Sequence, residues 1–372
     1  MREGVNMAYV QGWVLGPKGF IEGYLEFDGG SIKRISEGPP PSEPEARGII
    51  IPPIPNGHTH LADTGLRGKL PHGLSVSELV GPPDGFKHKE LRDRRVVVSG
   101  LETGMKEIAR LGTRDFSEFR EGGMDGVNIF REVQTREGKA LKPRVMGRTS
   151  GPKYDEKEVD SILAVADGMG ISSAADWPWP EIKALADHVR AKGRPLAIHV
   201  SEGEREDIGR ILELRPTYII HMVRATLEDM EAVAKAKVPV VVCPKANLYF
   251  KRLPSINLML RCGVDVCVGT DNGMFGELSV LDELSIMCKS AGVRPSHAWD
   301  ILTRTWGLFN PGTGMNLEAG APADFVVINV PSQGVGASPV RDPIEYVTRR
   351  AMGEDVYMVS LGERTIKAGH GA

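Results

Sequence analysis

The sequence predicts an α/β protein: a (β/α)8 TIM barrel carrying a small composite β domain built from both chain ends. Three observations predict it. Strand-like runs alternate with helical stretches through the middle of the chain, which implies parallel strands joined by helices. About seven or eight such units fit into some 260 residues, the span of one barrel. Both chain ends break this alternation and read as short strands with tight turns. The predicted β domain takes residues 1–52 and 318–372, and the barrel takes 53–317.

Taken in order, Tyr9 to Leu15, Phe20 to Phe27 and Ile32 to Ile35 are apolar runs cut by Gly16-Pro17 and Asp28-Gly29-Gly30, so they read as strands. Glu37 to Pro44 holds four prolines, which lack a backbone donor, and is a loop. Barrel strands are predicted before His58 and at Thr113 to Phe116, Pro143 to Gly147 and Pro195 to Val200. Further ones follow at Thr217 to His221, Val238 to Cys243 and Val264 to Thr270. Helical spacing or good helix formers occupy Val96 to Arg110, Trp179 to Lys192, Ile208 to Leu214, Leu227 to Ala236 and Ser255 to Cys262. Strands return at Ala323 to Ile328, Val356 to Val359 and Arg364 to Lys367. Gly168-Met169-Gly170 and Gly334-Val335-Gly336 lack the third glycine of a dinucleotide fingerprint, so that fold has little support.

Composition excludes several classes. With 41% hydrophobic and 26% charged residues among 372, the chain can bury a core and is not a disordered one. Lys and Arg number 46 against 49 Asp and Glu, a net charge of −3, so nothing argues for nucleic acid or an anionic membrane. No apolar run is long enough for a transmembrane helix, and Met1-Arg2-Glu3-Gly4 lacks the layout of a secretory signal. Cys262 and Cys267 lack metal-site spacing, and Cys243 and Cys288 stand apart. The expectation is a cytoplasmic protein with four reduced thiols, acting on a small molecule, with a homo-oligomer as a weak prior.

The chemistry lies at strand ends. Side chains two apart on a strand share a face, so His58 and His60 can reach one cation. His199, His221 and Asp271 each end a further strand, at the barrel mouth where active sites sit. Imidazoles plus a carboxylate suit Zn²⁺ or Fe²⁺ and leave a position for water. The bland alternatives are a hydrogen-bonded core histidine for His221 and a helix cap for Asp271. Glu202 joins this site only if the chain turns at Ser201-Glu202-Gly203-Glu204; otherwise it is a solvated first-turn glutamate. Leu61 to Lys89 is a long loop on the same side and a candidate lid, with His72 and His88 read as exposed. Glu118, Arg120 and Arg148 follow strands but default to surface charge. Trp177 and Trp179 read as packing, Asn247 as bonding either substrate or its own loop, and His188, His297 and His370 as structural or exposed. Lys153 sits in a turn, a poor place for a carboxylated metal bridge.

Asn56-Gly57-His58-Thr59-His60-Leu61 with Arg67-Gly68, His199-x-x-Glu202, His221, Cys243-Pro244-x-x-Asn247 and Gly269-Thr270-Asp271-Asn272 occur in that order. This pattern resembles the amidohydrolase superfamily, and most of all its metal-dependent aminohydrolase branch, which includes cytosine, guanine and S-adenosylhomocysteine deaminases. Asp28-Gly29-Gly30-x-Ile32 and Gly320-x-Pro322-Ala323-Asp324-Phe325 are similar to the β-sandwich segments that flank the barrel in that family. The resemblance implies one divalent metal, zinc first and iron(II) second, on His58, His60, His199 and Asp271. It implies catalytic roles for Glu202 and His221, with Asp271 accepting a proton from water. The implied reaction is hydrolytic deamination of an amino-substituted heterocycle such as a nucleobase, nucleoside or pterin-like ring. Cyclic-amide hydrolysis, as in imidazolonepropionase, is the alternative; a catalytically silent barrel is the third reading.

Overall fold

The computed structural model describes residues 7–331 and 340–367; Met1 to Gly4, Gly334 to Gly336 and His370 lie outside the described residues. Sixteen strands among the described residues form two sheets. The chain opens with β1 (Ala8–Gly16), β2 (Gly19–Phe27), β3 (Ile32–Glu37) and β4 (Ala46–Ile51). The middle supplies β5 (Asn56–His60), β6 (Asp115–Arg120), β7 (Lys142–Gly147), β8 (Gly168–Ile171) and β9 (Leu196–Val200). It continues with β10 (Tyr218–His221), β11 (Val240–Val242), β12 (Val266–Val268) and β13 (Asp271–Asn272). Then come β14 (Phe325–Ile328), β15 (Val356–Leu361) and β16 (Arg364–Lys367).

One sheet runs β16-β15-β14-β4-β1-β2-β3, so strands from both ends of the chain hydrogen-bond together. β4 sits between β1, to which it is parallel, and β14, to which it is antiparallel. The period-2 alternation of a strand divides its residues between two cores. Ile49, Ile51, Val326 and Ile328 enter the main core, while Ile50, Phe325 and Val327 join Val10, Leu25 and Met358 in a smaller one.

The other sheet is curled and parallel, in the order β12-β11-β10-β9-β8-β7-β6-β5-β13. β12 and β13 adjoin in sequence yet stand at opposite ends of that row. Helices cover its outer face with apolar positions three or four apart, as in Leu101, Met105 and Ile108 of Arg94–Arg110 and Ile182, Leu185 and Val189 of Trp179–Ala191. A further core of Phe119, Met146, Ala197, Tyr218, Ile220, Val241 and Cys267 comes from residues of the opposite strand faces.

The strand expectations hold to within a few residues, except that β4 and β8 are additions and the strand expected at Val264 to Thr270 is split into β12 and β13. The β8 sequence Gly-Met-Gly-Ile is short, half glycine and low in β propensity. The glycines answer to packing: a Cβ on Gly170 would lie 2.5 Å from a Phe119 ring carbon, and one on Gly168 2.4 Å from the Pro195 carbonyl oxygen. The helices Gly123–Glu137, Glu156–Val165, Val280–Lys289 and Pro295–Phe309 are likewise additions. All four cysteines are free, two of them buried, and no helix among the described residues is long and apolar enough to cross a membrane.

Candidate metal centre and active site

β5 delivers His58 and His60 to one point. The Nε2 atom of His199, at the end of β9, lies 3.1 Å from His58 Nε2 and 3.4 Å from His60 Nε2. Asp271 Oδ1 completes the cluster, 3.3 Å from His58 Nε2 and 3.7 Å from His60 Nε2. Ligand-type atoms of His58, His221 and Asp271 also fall within 4.8 Å of one another. All five side chains are buried.

Local backbone explains the convergence. Asp271 has φ +59° and His221 φ +76°, left-handed values uncommon outside glycine. Each chain therefore leaves its strand direction at the residue that carries the functional group. Asn56 ties β5 to the approach of β13: its Nδ2 donates to Thr270 Oγ1 at 2.8 Å, and its Oδ1 accepts from Thr270 N at 3.1 Å. Gly269 allows the closeness, because a Cβ there would stand 2.7 Å from His58 N. Arg67 braces the same mouth, donating to the carbonyls of Gly273 and Gly276 and pairing with Glu107.

The electrostatics suit a cation. His199 Nδ1 faces the Ile171 carbonyl at 2.8 Å, so it carries the proton and leaves the Nε2 lone pair directed at the cluster. Burial pushes the His60 imidazole down to about 3, helped by the Lys87 charge, and burial lowers His58 and His199 as well. Burial alone would raise Asp271, yet the neighbouring histidines, His58 foremost, hold it well below the carboxylate range. Three neutral rings cannot satisfy one another at these distances. Three Nε2 lone pairs and an ionised carboxylate are the donor set of a divalent zinc or iron site, so the residues fit the ion.

Glu202 meets the condition set by its sequence. Ser201 has φ +51°, the strand stops at Val200, and the chain turns so that Glu202 Oε2 lies 3.6 Å from His221 Nε2. Burial, reinforced by the Asp271 charge, raises the Glu202 carboxyl. Asn247 borders the cavity, and its Nδ2 is 3.2 Å from His221 Nδ1, so the amide donates to that ring and leaves Nε2–H toward Glu202. A cavity of ≈ 780 Å³ opens over the cluster, reached by His60, His199, Glu202, His221 and Asp271, within the size range of small-molecule sites.

Two defaults are corrected. Glu118 and Arg120 are not surface charges: their side chains are 0% and 2% exposed and paired at 2.9 Å. Glu118 accepts from Thr59 Oγ1 at 2.7 Å and from Leu61 N at 3.0 Å, bracing β5 on the face away from the cavity, and burial pushes its carboxyl up to about 7. His88 is half-buried, with Nε2 on the Val80 carbonyl, whereas His72 is exposed as expected; both border the cavity, as does Arg148. Asp63, Lys87 and Glu121 were invisible to sequence reasoning. Lys87 stands in Phe-Lys-His-Lys-Glu, which reads as a solvated run; only Glu121, just past a barrel strand, carried a positional signal. Trp177 is buried, Trp179 lies under the Arg210 guanidinium, His188 is held by Tyr154 and Asp160, His297 contacts Arg294, and Lys153 is exposed.

The amidohydrolase family model matches residues 49–357, and the chain belongs to that family, hydrolases of carbon–nitrogen bonds. An uncharacterized protein of Methanocaldococcus jannaschii is 29% identical over 278 residues, 68% of this chain and 70% of that one. A 5-methylthioadenosine/S-adenosylhomocysteine deaminase of Halobacterium salinarum is 24% identical over 374 residues, 89% of this chain and 85% of its own. A zinc-bound adenosine deaminase from Xanthomonas campestris superposes with a TM-score of 0.77 at 16% identity, covering 96% of this chain and 92% of that one, a likeness of fold.

Proposed function

We propose that this chain is a metal-dependent hydrolytic deaminase that releases ammonia from an amino-substituted heterocycle, in the class of nucleobases, nucleosides or pterin-like rings. The observation that carries the reading is a buried glutamate, Glu202, poised beside His221 at the rim of a three-histidine, one-aspartate cluster inside a cavity. The deaminase relatives support it. His58, His60, His199 and Asp271 would hold the ion, with zinc as our assignment and iron(II) as the alternative. A divalent ion there supplies hydroxide at neutral pH by lowering the pKa of water to about 7.

The chain's own groups do the rest. Asp271, ionised and adjacent, takes up the proton of the attacking water. Glu202, with its raised carboxyl, gives a proton to a ring nitrogen and makes the neighbouring amino-bearing carbon electrophilic. His221 donates from Nε2 to the oxygen that adds to that carbon. The proton then passes to the amine, which leaves as ammonia. This division of labour is not tied to one scaffold: zinc nucleobase deaminases of another fold pair a metal with a glutamate in the same way.

In this reading β12 and β13 are halves of one strand, the curled sheet is a closed (β/α)8 barrel over residues 53–317, and the second sheet is a composite β domain from residues 1–52 and 318–372. The free thiols accord with a cytoplasmic enzyme. The test is a panel of aminopurines, aminopyrimidines, pterins and nucleosides assayed for ammonia, with metal measured on the same sample. Ammonia from at least one member with about one metal per chain is the expected result. Turnover of cyclic amides without ammonia would move the enzyme to the other branch.

A further inference from the structure

A chain of buried charges links the loop after β5 to a predicted metal ligand. Lys87 lies on the short helix Phe86–Glu90, yet its side chain is 4% exposed. Its Nζ is 2.8 Å from Asp63 Oδ2 and 2.8 Å from Glu121 Oε1. Glu121 Oε1 is in turn 3.0 Å from His60 Nδ1, and its Oε2 accepts from Arg120 at 2.6 Å. Asp63 follows His60 by three residues in the turn that leaves β5. The same loop walls the cavity through Leu74 to Ser77 and Val80. Glu121 thus stands at ion-pair distance from the ring nitrogen of His60 that faces away from the cluster, without hydrogen-bond alignment; a carboxylate that swings into line there accepts Nδ1–H, leaves the Nε2 lone pair for the ion and makes the ring a stronger donor.

We propose that Lys87 is a positioning residue that couples this loop to the metal site: its ammonium clasps Glu121 against His60, so seating the loop over the cavity and ligation by His60 support each other. The inference rests on the metal reading above. Coupling between two events is reciprocal, so metal should protect the loop as the loop retains metal.

The test uses the zinc-loaded full chain, with zinc release to excess chelator and amide exchange over residues 74–90 as readouts. Glu121→Gln, nearly isosteric and still able to accept a hydrogen bond, is expected to speed zinc release by about 10- to 100-fold, if the change in affinity typical of lost outer-shell partners falls on the off-rate. Lys87→Met should accelerate both release and exchange, and the double variant should release zinc no faster than the weaker-binding single variant, because both act on one contact. Stripping zinc from the unaltered protein should increase exchange over 74–90, and should do so less in Glu121→Gln. Release within about 2-fold of the unaltered protein in Glu121→Gln overturns the coupling, as does loop exchange indifferent to zinc. If the unaltered protein holds no divalent ion at all, the functional reading itself falls, a result distinct from the coupling failing in a protein that does bind zinc.

Discussion

At the scale of single residues, the site works by pushing similar groups apart. Asp271 and Glu202 are both buried carboxyls, but one is held ionised by histidines and the other is raised toward its protonated form. In the proposed reaction that separation suits Asp271 to the base role and Glu202 to the acid role. Glu202→Gln keeps the shape and removes the transferable proton. It should retain its metal and lose about 10²-fold or more in turnover, read as ammonia release beside metal content. Unchanged turnover would remove the proposed role. His58, His60, His199, His221 and Asp271 were legible because ligand-type residues at strand ends are few and point to one mouth. Glu118, Arg120, Asp63, Lys87 and Glu121 were not. A buried charge is defined by its partner, and here the partner of Lys87 is Glu121, a separation that composition and periodicity do not report.

Among elements, close approach matters more than propensity. Gly269→Ala would place a Cβ 2.7 Å from His58 N, forcing the segment between β12 and β13 away from β5. Overpacking of this kind should cost about 1–3 kcal/mol in denaturant unfolding. Because the shift carries Asp271 with it, metal occupancy should fall too; a variant with unaltered stability would contradict the packing account. The helix Val280–Lys289 offers a pH test on a buried carboxyl outside the cluster. Burial pushes its Glu283 up to about 7 from an ordinary 4.5, against the opposing charge of Lys245. The folded state therefore binds the extra proton between those values, and the contribution of Glu283 to stability is fully present below about 4.5 and is lost as pH rises through about 7. Glu283→Gln cannot titrate, so its melting temperature should gain on that of the unaltered chain from pH 5 to pH 8. Parallel curves would show that Glu283 titrates normally. The same lesson explains the elements that were missed. β8 is specified by Phe119 and Pro195 leaving no room for side chains, not by its own pattern, whereas the helix Trp179–Ala191 announced itself through Ile182, Leu185 and Val189.

For the whole molecule, the metal should be a structural participant as well as a chemical one. Chelation leaves three inward lone pairs and a carboxylate facing one another without a cation. Thermal stability should drop, and free zinc at a hundred times its Kd should restore about 2.7 kcal/mol through binding to the folded state alone. A melting temperature indifferent to chelator and to zinc would argue against occupancy of the cluster. Both sheets were legible in outline, since apolar strands at the two termini have to find each other, and β4 with β14 is where they do.

The contact between β5 and β13 has one more consequence. Asn56 and Thr270 bond across a sequence separation of 214, with Asp271 next in line. Such long-range contacts close slowly, after the local strand–helix units have gathered. A nascent chain released before this stretch has emerged would own every histidine of the cluster but no aspartate and no clasp. The cation would then arrive as a rivet set last, and its capture would serve as a clock marking the end of folding.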